Sequence, residues 1–141
     1  MKKILAIALV LCLAVGMLAG CAKPAAPAAE KKFKVAMICD SSISDGGWGA
    51  ACYNGMTAAA EKRGWETAYT DSIDQSAYAD TMISYCDLGY DMIFAPGNQY
   101  SDAVKQVAAD YPNVAFAVLN GSTELPTANI MSILPNADQI G

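Results

Sequence analysis

Apolar and polar positions divide the chain into three zones. An unbroken apolar run from Ile4 to Leu18 follows Lys2 and Lys3. Residues 22–32 (AKPAAPAAEKK) contain no large apolar side chain. From Phe33 onward, short apolar runs alternate with apolar stripes at helical spacing. The candidate strands are Phe33–Cys39, Trp65–Tyr69, Tyr90–Ala95 and Val114–Leu119, with Ile130–Leu134 as a possible fifth by length. Between them, Trp48 to Arg63 carries a stripe of Trp48, Ala51, Cys52, Gly55, Met56, Ala59 and Ala60, a helical repeat. Lys62 and Arg63 suit a helix C-terminus and Gly64 a stop. A second helix is expected from Ser76, as N-cap, to Leu88, with Ala79, Met82, Ile83 and Cys86 inward and Gly89 ending it. A third is expected with Ser101 as its cap and Val104, Val107, Ala108 and Tyr111 on one face. There is no internal repeat. Strands alternating with helices predict an α/β domain with a parallel sheet and right-handed crossovers. Ligands of such sheets bind beyond the carboxyl ends of the strands. The segments to watch are therefore 40–48, 71–75, 96–100 and 120–122.

The first zone reads as a secretory signal: a basic start, a short apolar core, then small residues. It ends Leu18-Ala19-Gly20-Cys21, which resembles the signal of bacterial lipoproteins. In that pattern the Cys21 thiol is lipidated and cleavage falls just before it. The expected organisation is a signal over residues 1–20, a lipidated Cys21 with a Pro/Ala spacer to residue 32, and a folded region over 33–141. The weaker alternatives are a retained membrane span, which needs ~20 apolar residues, and an unlipidated secreted form.

Composition narrows the chemistry. The chain has 141 residues, 9 basic and 14 acidic side chains and no His. Loss of residues 1–20 removes two lysines and leaves a formal charge of −7. An acidic domain is poorly suited to neutralising phosphates, which argues against nucleic-acid binding. Without His there is no Ser-His-Asp triad and no imidazole base or metal ligand. Cys39, Cys52 and Cys86 are odd in number and widely spaced, so they form neither a disulfide framework nor a CxxC motif. They read as buried small apolar residues. No cofactor or metal is implied.

The loop Asp40-Ser41-Ser42-Ile43-Ser44-Asp45-Gly46-Gly47-Trp48 is the chemical centre. Gly46 and Gly47 allow close backbone approach to a ligand. Trp48 can lay its ring on an aromatic base or a sugar, and Asp40 offers acceptor oxygens. Alternatively Asp45 caps the helix, the glycines serve the turn, and Trp48 is core. The loop is neither a dinucleotide fingerprint, since Cys52 stands where the third glycine belongs, nor a P-loop, since no Gly-Lys-Ser/Thr follows.

Three stretches together resemble the basic membrane protein family. They are Asp40…Ser44-Asp45-Gly46-Gly47-Trp48…Gly55, Gly89-Tyr90-Asp91-Met92-Ile93-Phe94 and Tyr111-Pro112-Asn113-Val114-Ala115-Phe116. The family comprises substrate-binding lipoproteins of ABC importers, with purine-nucleoside receptors as its best-known branch. The resemblance runs from Phe33 to Gly141. It implies a type 1 periplasmic-binding fold, with two α/β lobes clamping a ligand and no catalysis. This chain would supply the N-terminal lobe, with the second lobe missing. The implied ligand is a purine nucleoside or similar small-molecule solute. The implied partners are an ABC permease and, through the lipid anchor, the extracytoplasmic face of the cell membrane.

Residue by residue, Asp40 matches the family's base-binding Asp and Trp48 its stacking aromatic. Gly47 belongs to the same loop, which is one residue shorter than the usual form. Gly49 stands where an Asn is common, so one amide contact is missing. Asn120 stands where an Asp is frequent. Gln99 and Tyr100 are placed to line the same cleft. Ser101 and Asp102 read as helix-start residues, and Asp71 and Asp74 as solvated loop charges. A lone lobe is expected to bind weakly and to be marginally stable, since half of the ligand's burial is lost. The rival readings are a sensor or interaction lipoprotein on the same fold, and a truncated remnant. A surface hydrolase is disfavoured by the missing His and the missing G-x-S-x-G elbow.

Overall fold

The computed structural model describes residues 31–121 and 127–134. The signal, Cys21, most of the spacer, Ser122 and the segment after Leu134 lie outside the described residues. Five strands form one parallel sheet: β1 (Lys34–Ile38), β2 (Glu66–Thr70), β3 (Met92–Ala95), β4 (Ala115–Leu119) and β5 (Ile130–Ile133), in the order β2-β1-β3-β4-β5. Three helices connect them: α1 (Trp48–Arg63), α2 (Tyr78–Asp87) and α3 (Ser101–Ala108). The predicted α/β alternation is thus the observed one, with the candidate fifth strand in place beside β4, where Phe116 pairs with Ile130 and Leu119 with Ile133.

Period-two alternation sorts β1 between two cores. Ala36 and Ile38 join Tyr78, Met82, Ile93, Tyr100, Val104 and Phe116 under α2 and α3. Val35, Met37 and Cys39 pack against Cys52 and Met56 of α1. Both sides are apolar, which is why the run Val35–Cys39 is continuous rather than alternating.

Several boundaries differ from the expected ones. A 3-10 turn over Gln75–Ala77 precedes α2, and no side chain caps that helix, so Ser76 is not its N-cap. A similar turn over Asn98–Tyr100 precedes α3. Ser101 is therefore a helical residue, its hydroxyl donating to Asn98 Oδ1 at 3.1 Å. Tyr111 lies beyond α3 and donates to Asp87 Oδ1 at 2.8 Å. Gly64 ends α1 as read, in the left-handed region at φ 68°, where a Cβ would be strained.

The α1 stripe splits in two. Cys52, Met56 and Ala60 are buried, whereas Trp48, Ala51, Gly55 and Ala59 stay exposed. The exposed half faces an apolar groove of about 520 Å³, walled opposite by Phe94, Leu119, Met131 and Ile133. α1 covers β1 and β2, and on this face no described helix covers β3 to β5. The β4–β5 connection is fastened on the other face by Asn129. Its Nδ2 donates to the carbonyls of Ala108, Tyr111 and Val114 at 3.0, 3.1 and 2.9 Å.

Candidate functional site

All five strands are parallel, so their carboxyl ends form one rim, and the rim segments come from β1, β2, β3 and β4. Asp40 follows β1 by two residues and is exposed. Its backbone N–H donates to the Tyr100 hydroxyl at 2.7 Å. Its Oδ2 accepts from Gln99 Nε2 at 3.0 Å and from the Tyr78 hydroxyl at 3.3 Å. Tyr78 and Tyr100 are buried and pack ring against ring, centroids 4.5 Å apart. Desolvation raises the pKa of both phenols, and the neighbouring Asp40 charge adds to the rise. Both hydroxyls consequently keep their protons at neutral pH, and Tyr78 remains a donor to the carboxylate. Two side chains, Gln99 and Tyr78, therefore hold the Asp40 carboxylate, and a third, Tyr100, holds its backbone.

This differs from the expected role of Tyr100. Its side chain has no exposed surface and braces the Asp40 backbone from below instead of lining a cleft. Gln99 is exposed at the rim. Tyr78 is a site residue that the sequence reading missed. It was placed inside a helix, and its only signal is its position just after rim segment 71–75.

The loop after Asp40 is internally fastened. Asp45 Oδ1 accepts the Gly47 N–H at 2.7 Å, so Asp45 closes a turn within the loop and does not cap α1. Gly46 has φ 72°, a conformation that favours glycine. Asp71, expected to be a solvated charge, accepts the Ile43 N–H at 2.9 Å and ties the loop to the end of β2. Asp74 is exposed.

Trp48 opens α1 with 52% of its surface exposed, so it is not core. Its indole N–H donates to the Pro96 carbonyl at 2.6 Å, pinning the ring to the end of β3. Gly49 is buried. A Cβ there would lie 2.7 Å from Ser41 Oγ and 3.0 Å from Cys39 Sγ. The departure from Asn at this position is thus a packing requirement, because the loop fills the space a side chain would need. Asn120 is exposed with φ 55°, and its N–H donates to the Ile133 carbonyl at 2.8 Å. It shares the rim, but no hydrogen bond joins it to Asp40, Gln99 or Trp48 among the described residues.

The site therefore offers a braced carboxylate and a half-exposed indole on one rim. A carboxylate can accept N–H or O–H donors, and an exposed indole face can stack on a planar ring. Among the described residues no three His, Cys, Asp or Glu side chains cluster to hold a metal. None of the described helices is long and apolar enough to cross a membrane. Cys39, Cys52 and Cys86 are buried free thiols, in keeping with their reading as small apolar residues.

Comparison with known proteins bears on the fold and the family. A fragment described as a lipoprotein from Peptoclostridium difficile 630 superposes with a TM-score of 0.65 at 26% identity, over 73% of this chain and 85% of that one. A solute-binding protein of an ABC transporter system from Aeropyrum pernix K1 has the same fold, with a TM-score of 0.64 at 21% identity over 72% of this chain and 28% of that one. The transcriptional activator protein med of Bacillus subtilis (strain 168) is 22% identical over 126 residues, 89% of this chain and 38% of its own length. The chain spans well under half the length of the curated relatives it matches. The family model of Bmp, the PnrA-like ABC transporter substrate-binding proteins, matches residues 32–140. By that match the chain belongs to the Bmp family, whose members are substrate-binding proteins of ABC transporters and not enzymes.

Proposed function

We propose that this protein is a lipid-anchored, extracytoplasmic solute-binding component of an ABC importer, and that its solute is a purine nucleoside or a similar aromatic-base compound. The observation that carries the reading is Asp40, a rim residue whose carboxylate is held by Gln99 and Tyr78 and whose backbone N–H is held by Tyr100. Asp40 bonds the ring edge of the base, and Trp48, pinned through its N–H, presents a ring face for stacking. Asn120 adds a polar contact from the end of β4, and Gly47 keeps the loop low beside the ligand. Cys21 carries the lipid, and the solute is handed to a membrane permease. Titration of the whole encoded protein with adenosine, guanosine, inosine and riboflavin by calorimetry tests this. Binding of one of them, abolished by Trp48→Ala, is the expected result. No binding of any of the four overturns the solute assignment.

A sensor or interaction lipoprotein on the same fold is the second reading, favoured by the likeness to a transcriptional activator. A permease and an ATPase encoded beside the gene support import, and an adjacent kinase gene supports sensing.

A further inference from the structure

The two oxygens of Asp40 differ. Oδ2 accepts from Gln99 Nε2 at 3.0 Å and from the Tyr78 hydroxyl at 3.3 Å. A carboxylate oxygen has about two acceptor positions, so these donors fill it. Oδ1 accepts no hydrogen bond from a described residue, and the side chain is exposed.

The place of the Gln99 amide is set by Gly97. A Cβ on Gly97 would lie 2.6 Å from both Cδ and Nε2 of Gln99 and would also strike Oε1. Gly97 is extended, with φ 175°, so its lack of a side chain supplies space and not a special backbone conformation. The amide folds over that bare Cα and reaches Asp40.

We infer that Gln99 is a specificity-determining residue: seated on Gly97, it occupies one Asp40 oxygen and so selects a base edge with a single N–H donor over an edge with two. The inference rests on the proposed role of Asp40 as the base contact. Hypoxanthine presents N1–H beside a C2–H. Guanine presents N1–H and the 2-amino group side by side, a pair that matches both oxygens of a free carboxylate. With Oδ2 filled, the guanine amino group loses water and gains no acceptor, which weakens binding.

Inosine and guanosine differ by that amino group alone, so the ratio of their dissociation constants reads the effect directly. The measurement is calorimetry on the whole encoded chain and on three variants. Gln99→Met keeps the side-chain length but removes the donor. Gly97→Ala keeps Gln99 but pushes its amide away, and what must yield is the end of a flexible side chain. The wild type should prefer inosine. Both variants should shift the ratio toward guanosine by on the order of tenfold, the scale of one hydrogen bond to a charged acceptor. A wild-type preference for guanosine, or a ratio unchanged in both variants, overturns the role of Gln99 while leaving nucleoside binding intact. Asp40→Asn, as the third variant, should weaken inosine binding; if it does not, Asp40 is not the base contact. Absence of binding by both nucleosides in the wild type overturns the nucleoside reading and this assignment together.

Discussion

Replacing Gly49 by Ala tests whether the Asp40–Trp48 loop is packed as tightly as its geometry says. The added Cβ would sit 2.7 Å from Ser41 Oγ, 3.0 Å from Cys39 Sγ and 3.3 Å from the Ser42 carbonyl oxygen. Two of these neighbours are short side chains and one is backbone, so none can swing away freely. Overpacking of this kind costs about 1–3 kcal/mol. Exchanging Gly for Ala in a helix returns at most ~1 kcal/mol, and less in the first turn, where Gly49 lies. The net loss is about 1–2 kcal/mol. At ~4–8 °C per kcal/mol for a domain of this size, the midpoint of thermal unfolding should fall by roughly 5–10 °C. Circular dichroism melts of the two proteins measure it. Ser41→Ala in the same background removes the nearest contact and should restore part of the loss, because neighbouring substitutions of this kind are not additive. A Gly49→Ala protein as stable as the wild type, or more stable, would refute the reasoning, since the predicted net loss from overpacking would then be absent.

Other substitutions probe the bracket, the β4–β5 connection and the buried thiols. Tyr100→Phe leaves the Asp40 N–H without the acceptor it has at 2.7 Å; a loss of about 1–2 kcal/mol in urea unfolding is expected, together with weaker solute binding. Asn129→Ala removes a donor shared by three carbonyls and should cost about 2–3 kcal/mol, with hydrogen exchange accelerated at the amides of β5 first. Burial, with the Asp87 charge second, pushes the Cys86 thiol from its ordinary 9.0 up to about 11. The unfolded chain then releases that proton first, so the contribution is complete below pH 9 and is lost as pH rises to about 11. Cys52, raised for the same reason, acts in the same direction. Urea midpoints measured from pH 8 to 11 should fall, and fall less steeply in Cys86→Ala; an unchanged slope would count against burial as the cause.

What could be read in the chain is what local pattern encodes. The runs at residues 35–39 and 114–119 are apolar throughout; β1 has a core on each of its faces, and such continuity signals a parallel sheet. Gly64 and Gly89 end helices because positive φ is needed there, at 68° and 74°. The bracket on Asp40 was not legible in the same way. Its partners stand 38, 59 and 60 residues away and meet only when right-handed crossovers bring the ends of β1 and β3 together. Tyr100 has an ordinary rim position in sequence, and only packing shows that its ring is buried and its hydroxyl points at a backbone amide. The α1 stripe was read too wide for a related reason. Spacing assigns residues to a helix face, but only the extent of the neighbouring layer decides how much of that face is covered. Asn129 carried no signal at all, since three carbonyls from separate segments have no trace in local spacing.

The chain contains two tryptophans in opposite surroundings. Trp65 stands just before β2, at the amino end of the sheet, with Phe33 at 4.6 Å and the Arg63 guanidinium at 5.0 Å. Trp48 stands at the carboxyl end, half in solvent, with its N–H on a carbonyl. Fluorescence is therefore divided between a half-buried emitter at the amino end of the sheet and a wetter emitter on the rim. A solute that stacks on the rim indole should quench one emitter and leave the other as an internal reference. Trp65→Phe turns the molecule into an optical sensor with its single lamp at the binding edge.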